Sequence, residues 1–149
     1  MKKFDFRLEP VLKYKSDLLE VLKSEHAGAV KMVSEQNDVL QNLKNETKSS
    51  MLNFDEKKET GITIAEAGLY ERYIFKQDQL IKAETAKLNH LMKVESEKRD
   101  KVVEAKKEML TIEKLRDIKI SEYKKQVQKE NELFIEEFVS SANIKAKNS

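Results

Sequence analysis

The residues of this chain best suited to metal binding or proton transfer are its two histidines, His26 and His90, because it contains no cysteine. A zinc-type centre needs three or four such ligands held close together. If the chain folds back near residue 61, His26 lies opposite about residue 97 rather than opposite His90. We therefore interpret His26 as a polar position in a contact between helices and His90 as an exposed helical residue.

The short motifs that form other catalytic centres are also missing. The sequence has no G-x-S-x-G motif, and no two of its three glycines are close enough to form a phosphate-binding loop. Its 29 basic and 27 acidic residues are interspersed, unlike the concentrated positive charge of nucleic-acid-binding proteins. We predict that the protein is not an enzyme and has no catalytic residues, metal, cofactor or nucleic-acid partner.

The elements that position the side chains are indicated by an apolar repeat with alternate steps of four and three residues. From Leu8 to Phe54 this repeat has fourteen positions, of which nine are apolar. An average step of about 3.5 residues keeps a narrow stripe facing a neighbouring helix, as in a coiled coil. With 38% charged residues and a single proline, the composition favours long helices with solvated outer faces.

Two signals near the middle of the sequence predict a hairpin. Gly61 is suited to end a helix, and the segment from Thr63 to Glu66 has the form of a capping box. We predict an all-α fold, a long antiparallel two-helix coiled-coil hairpin with an overhanging C-terminal helix. Residues 1–149 would form a single coiled-coil domain, with helix one over about 7–59, a turn over about 60–63, helix two over about 64–142 and a disordered tail at 143–149. Gly68 leaves open a start of helix two nearer Ala67.

Helix two has its own stripe, from Tyr70 to Ile112, which resumes after an irregular step at Ile120. Charged residues on this stripe (Glu84, Glu95 and Lys98) predict a looser stretch. Helix two is the longer helix, so about 25 residues are expected to extend past the start of helix one. This overhang includes the apolar residues Leu133, Phe134, Ile135, Phe138 and Val139, which we expect either to bind a partner or to fray.

No apolar run approaches the roughly 18 to 20 residues that span a bilayer, and the N-terminus lacks the apolar core of a secretory signal. From these patterns we predict a cytoplasmic protein without a transmembrane segment.

Several segments, in this order, resemble the flagellar FliJ family, whose members are small coiled-coil components of the type III export apparatus. The resemblance covers nearly the whole chain. It lies in the start Phe6-Arg7-Leu8 with Val11-Leu12 and Tyr14-Lys15, the pair Tyr73-Ile74, the segment 112–116 with Glu122-Tyr123, and Glu136-Glu137-Phe138.

The resemblance implies a fold similar to the coiled coil of the ATP synthase gamma subunit and a role without catalysis. It implies a central stalk that binds and activates the hexameric flagellar export ATPase and links it to the cytoplasmic domain of the export gate and to substrate-specific export chaperones. It also implies a cytoplasmic location, peripherally associated with the membrane at the flagellar base.

Two sets of contact residues follow as hypotheses. For the ATPase we expect contacts along the unpaired end of helix two, at Leu115, Arg116, Tyr123, Phe134, Glu137 and Phe138. For the export gate we expect contacts near the turn, at Tyr70, Tyr73 and Ile74. The alternative function is a structural coiled-coil scaffold or homodimer that self-associates through residues 115–142. A component of a related injectisome export system is a variant of the stalk hypothesis.

Overall fold

The computed structural model describes residues 2–148. These residues form two helices, α1 (Glu9–Thr60) and α2 (Ile64–Asn148), and no strand. The helices pack against each other as a hairpin, so the predicted fold class is confirmed. The likeness to the ATP synthase gamma subunit stays a prediction.

The chain divides into two compact units, each combining part of α1 with part of α2. Unit one contains the sequence up to Leu19 and from Glu104 onward, and unit two contains Glu20–Val103. Within each unit the two helix segments are antiparallel, because contacts nearer the start of α1 are made further along α2. The single domain proposed for residues 1–149 stays a prediction.

The turn in unit two is formed by residues 61–63. Gly61 has a φ of 109°, a conformation that favours glycine, and its amide donates to the Lys57 carbonyl at 2.9 Å. At the start of α2, the Glu66 amide donates to the Thr63 hydroxyl at 3.2 Å, so Thr63 caps the helix. Because three residues connect the helices, α2 returns beside α1.

The contact between the helices follows the predicted stripe. All fourteen positions of the repeat from Leu8 to Phe54 are buried or half-buried, and so are all positions of the stripe in α2 between Tyr70 and Ile112. In unit two the buried apolar members are Ala29, Leu40, Phe54 and Leu88. Burial of a narrow stripe stabilises two long helices that would be marginal alone in water.

Charged and polar residues on the stripe are paired across the two helices, and the looser packing predicted there stays a prediction. Gln36 is 5% exposed, and its amide nitrogen donates both to the Glu84 carboxylate and, at 3.1 Å, to the Glu84 carbonyl oxygen. Three stripe positions further along α2 than Glu84, a carboxylate oxygen of Glu95 lies 2.8 Å from His26 Nε2. No buried side-chain nitrogen or oxygen of residues 2–148 lacks a hydrogen-bond partner. Where these two pairs interrupt the apolar stripe, polar side chains of the two helices therefore form hydrogen bonds with each other.

In unit one the pairing extends beyond the start of α1. Two ion pairs join the helices, Lys15 with Glu108 at 2.8 Å and Glu9 with Arg116 at 2.9 Å. Residues 2–8 precede α1, and we call them the N-terminal strap because they lie against α2 as far as Tyr123. Leu115, Arg116 and Tyr123 are therefore not part of an unpaired end. The prediction was wrong here because apolar side chains of the strap leave the water, with the Phe4 ring 5.5 Å from the Tyr123 ring and Phe6 only 7% exposed.

The helix ends differ in part from those expected from the sequence. α1 covers Glu9–Thr60 where about 7–59 was predicted, a difference within the usual uncertainty of helix ends. α2 continues to Asn148, whereas an end near 142 and a disordered tail were predicted. No glycine or proline interrupts residues 143–148, and Lys145 and Lys147 in the last turn favour the negative end of the helix dipole. The remaining tail residue, Ser149, lies outside the described residues.

Candidate interaction surface

The largest group of exposed apolar side chains in unit one lies near the end of α2. We call it the terminal patch, and its members are between 49% and 69% exposed: Leu133, Phe134, Ile135, Phe138 and Val139. Phe134 and Phe138 stand one helical turn apart, so they cover one face of α2 together. Transferring a phenylalanine from water into an apolar contact is worth about 1.5–3 kcal/mol. The terminal patch is therefore suited to binding another surface.

Acidic residues surround the terminal patch. Glu130, Glu132, Glu136 and Glu137 are all exposed, and no lysine or arginine occurs between Glu130 and Ser140. One of them, Glu132, accepts a hydrogen bond from Gln128 at 3.1 Å within the same helix. An apolar surface with an acidic rim is complementary to an apolar groove lined at its edges by lysine or arginine.

Three of the six residues expected to bind the ATPase lie under the N-terminal strap. The Tyr123 hydroxyl donates to the Lys2 carbonyl oxygen at 2.7 Å, and the Tyr123 ring lies 5.5 Å from the ring of Phe4. The Arg116 guanidinium lies 6.0 Å from the Phe4 ring while its Nε donates to Glu9. Leu115 is 36% exposed and borders the strap.

The other three predicted ATPase-binding residues, Phe134, Glu137 and Phe138, are exposed in the structure. Phe134 is 69% and Phe138 is 68% exposed. The structure therefore divides the predicted set: the strap contacts Arg116 and Tyr123 and borders Leu115, whereas the other three residues are open to solvent.

Near the turn in unit two, the three residues expected to bind the export gate differ in exposure. Tyr70 is half-buried and stacks on Phe54 with 5.1 Å between ring centroids and 14° between the planes. Ile74 is also half-buried on the stripe. Tyr73 is 43% exposed, and its hydroxyl accepts a hydrogen bond from Gln77 at 2.6 Å. Only Tyr73 of the three presents a largely exposed side chain.

Sequence reasoning missed other exposed apolar residues close to the turn. Leu69 is 62% exposed, Phe75 67% and Leu80 39%. Leu69, Tyr73 and Leu80 share a face of α2, since they are separated by four and seven residues. That spacing is present in the sequence, but the prediction followed the stronger repeat that packs against α1.

The two histidines occupy different environments. His26 is half-buried beside Glu95, and Glu95 also accepts from Arg99 at 3.4 Å, whereas His90 is exposed. Within residues 2–148, no group of three or more histidine, cysteine, aspartate or glutamate side chains is arranged to hold a metal ion. The contacts of His26 are those of a polar residue that pairs two helices.

The pKa of Lys15 is perturbed by a contact between the helices. Lys15 donates a hydrogen bond to Glu108 at 2.8 Å, and this bond, together with the charge of Glu108, raises the pKa of Lys15 above its ordinary value of 10.5. The pair links α1 to α2 within unit one. It is a structural contact rather than a tuned catalytic group.

The fold defines a helical-hairpin protein of the coiled-coil class, with an exposed apolar patch near the end of its longer helix. A family model described as "Flagellar FliJ protein" matches residues 3–148. The chain belongs to the FliJ family and is a component of the flagellar protein export apparatus. The match includes both the strap from Lys3 onward and the terminal patch.

No curated protein and no solved structure gives a significant match to the sequence. Neither α1 nor α2, over the part of the chain that is described, has a segment long and apolar enough to span a membrane.

Proposed function

We propose that this protein is the non-catalytic central stalk of flagellar type III export, which binds and activates the hexameric export ATPase and links it to the export gate and to substrate chaperones. Membership of the FliJ family supports the export role. The observation that carries the ATPase contact is the terminal patch, whose five apolar side chains are 49% to 69% exposed. Through these partners the protein would be held at the membrane at the flagellar base.

The proposed ATPase contact consists of Leu115, Arg116, Tyr123, Phe134, Glu137 and Phe138. A single helix inserted among six equivalent subunits touches them unequally. It can activate the ATPase only if it binds one conformational state of the subunits more tightly than another. The terminal patch supplies the apolar part of that binding. The glutamates around it set the orientation of the bound helix, because charge complementarity favours one docking geometry.

A binding and activity assay with the full chain tests the ATPase contact. The purified ATPase is captured with wild-type protein, and its rate of ATP hydrolysis is measured as the protein is added. We expect the Phe134→Ala/Phe138→Ala variant to bind on the order of 100-fold more weakly, as for two interface anchors of about 1–2 kcal/mol each. Stimulation at moderate concentration should disappear with it.

The chain offers a matched control for this assay. Phe75 is 67% exposed, nearly as much as Phe134 and Phe138, but belongs to unit two. Phe75→Ala should bind and stimulate like wild type. Failure of the wild-type chain to bind or stimulate would overturn the stalk proposal, and full activity of the double variant would overturn the assigned contact.

The gate contact is proposed at Tyr70, Tyr73 and Ile74, with Tyr73 making the direct contact and the two half-buried residues supporting it. Tyr73→Ala should weaken binding to the cytoplasmic domain of the gate in a pull-down. Tyr14 is 63% exposed and belongs to unit one, so Tyr14→Ala is the control. Equal loss in both variants would contradict the assignment. Binding of substrate-specific chaperones is tested by the same capture, with each chaperone in place of the gate domain.

The second candidate is a structural scaffold that pairs with another copy through residues 115–142. The observation that favours it is the coiled-coil spacing of the apolar face, which could also pack against an identical face. Sedimentation equilibrium distinguishes the two functions. A stable dimer that Phe134→Ala/Phe138→Ala dissociates supports the scaffold, and a monomer that binds the ATPase supports the stalk.

A further inference from the structure

The N-terminal strap covers part of the surface that the ATPase is proposed to contact. We infer that the strap is a built-in competitor, which occupies α2 around Arg116 and Tyr123 until the ATPase displaces it. This inference rests on the proposed ATPase contact and adds its regulation. The strap and the α2 surface beneath it both belong to unit one.

Alternate residues hold the strap against α2. Phe6 is 7% exposed and Phe4 is half-buried, whereas Lys3, Asp5 and Arg7 are exposed. This alternation puts both phenylalanines on the shielded side of the strap, where the Phe4 ring lies against Tyr123 of α2. The strap thus offers α2 an apolar surface of the kind that a partner would offer.

The groups used by the strap are those assigned to the partner. The Tyr123 hydroxyl donates its only hydrogen to the Lys2 carbonyl oxygen at 2.7 Å. The Tyr123 ring and the Arg116 guanidinium both lie beside the ring of Phe4, at 5.5 Å and 6.0 Å. The ATPase cannot occupy the same surface while the strap is in place. The two contacts are therefore mutually exclusive.

The strap is also lightly held. Residues 2–6 have no regular secondary structure, and an open cleft of about 990 Å³ is lined by strap residues and by α2 residues such as Leu115 and Gln126. A short segment with few backbone hydrogen bonds and incomplete packing belongs to the part of a structure that opens most easily. The helices do not depend on it, because their stripes bury each other.

Binding is consequently expected in two stages. The terminal patch is exposed and docks first, and displacement of the strap then releases Tyr123 and Arg116 for the second part of the contact. A surface that is open for only a fraction of the time binds with an affinity reduced by that fraction. The strap therefore sets the strength of the ATPase interaction without touching the ATPase.

Loosening the strap tests this inference. Binding of the hexameric ATPase is measured with the full-length wild type and with the Phe4→Ala/Phe6→Ala variant. If the strap is closed about nine-tenths of the time, the variant binds about tenfold more tightly. Lys3→Ala changes an exposed residue of the same segment and should bind like wild type. Helix content is checked by circular dichroism, which should be equal in all three proteins.

The outcomes separate this inference from the proposed function. Tighter binding by the double variant supports both. Equal or weaker binding overturns the competitor role and leaves the ATPase contact intact. If neither protein binds the ATPase, the proposed function is overturned and the competitor role with it.

A second measurement reports the position of the strap and replaces only one of its two phenylalanines. The chain has no cysteine, so Phe6→Cys introduces a single thiol at a buried position of the strap. Displacement predicts that excess ATPase accelerates reaction of this thiol with a maleimide, while a thiol from Lys3→Cys reacts quickly throughout. Protection of the Phe6→Cys thiol by the ATPase would show that the strap stays in the interface and would overturn the inference.

Discussion

Replacing the buried polar pair of unit two should destabilise the protein when one partner changes and leave it nearly unchanged when both do. The two substitutions are Gln36→Leu and Glu84→Leu. Gln36 is 5% exposed and its amide nitrogen donates to both the carboxylate and the carbonyl oxygen of Glu84. Because both side chains lie on the stripe, a leucine at either position faces the other helix.

The expected magnitudes follow from what each substitution leaves unpaired. Gln36→Leu removes a donor from a half-buried carboxylate and should cost about 2 kcal/mol, since hydrogen bonds to charged groups are worth about 1.5–3 kcal/mol. Glu84→Leu should cost about 1 kcal/mol, because the Gln36 amide keeps the backbone carbonyl of residue 84 as an acceptor. The double variant places two leucines together and should unfold within about 1 kcal/mol of wild type.

Urea unfolding followed by circular dichroism at the helix band measures all four proteins. The expected coupling between the two substitutions is about 2–3 kcal/mol, at the upper end of values for contacting residues. The dependence of the unfolding free energy on urea should stay constant, showing that the same surface is exposed. Additive effects within about 0.5 kcal/mol would refute the view that this pair acts as one buried unit.

Three further predictions concern the contacts that hold the hairpin. Phe54→Ala should lower the free energy of unfolding by about 3–5 kcal/mol in the same assay, because Phe54 is 6% exposed and stacks on Tyr70. Leu52→Ala is the control: its position is 55% exposed, so it should stay within about 0.5 kcal/mol of wild type. Gly61→Ala should destabilise the protein by about 1–2 kcal/mol, because residue 61 has a φ of 109°. Gly28→Ala should stabilise it by about 0.4–1 kcal/mol, because Gly28 lies in a helix with nothing within 4 Å of the added methyl. Equal effects of the two substitutions would contradict the geometry of the turn. The pKa of Lys15 is raised in the folded state, so its stabilising effect is present below pH 10.5 and is lost as the pH rises through the folded value. The difference in unfolding free energy between wild type and Lys15→Met should therefore narrow above that pH. A difference that widens would contradict the raised pKa.

The fold could be predicted because a repeat with an average step of about 3.5 residues leaves little choice of packing. Every position of the stripe from Leu8 to Phe54 is buried or half-buried, including polar ones such as Thr47. Gly61 and Thr63 were equally informative, since one residue ends a helix and the other starts one by local backbone chemistry. Such signals act within a few residues and do not require knowledge of the rest of the structure.

The contacts of non-repeating segments could not be predicted in the same way. The strap lies before the first helix and has no apolar repeat, so its sequence does not indicate which surface Phe4 and Phe6 cover. The end of α2 was placed too early because residues after 142 carry no helix stop signal, only a small number of apolar residues. The pairing of Glu84 with Gln36 was missed because a charged residue on a stripe was interpreted alone, without its partner on the opposite helix.

For the candidate surface, the sequence predicted an exposed apolar group at the end of helix two, and the structure places Phe134 and Phe138 in it at 69% and 68% exposure. Its partner and the role of its residues stay predictions. Arg116 and Tyr123 were assigned to the same contact by sequence position alone. Their engagement with the strap depends on tertiary packing, which a repeat pattern does not report.

Photo-crosslinking from position 138 tests the central claim most directly. A photoreactive phenylalanine analogue is incorporated at Phe138 or, as a control of similar exposure, at Phe75, and the chain is illuminated with the hexameric export ATPase. A stalk whose terminal patch enters the ATPase predicts a covalent adduct with an ATPase subunit from position 138 and none from position 75. Adducts from position 138 only to a second copy of this chain, or to nothing, would contradict it.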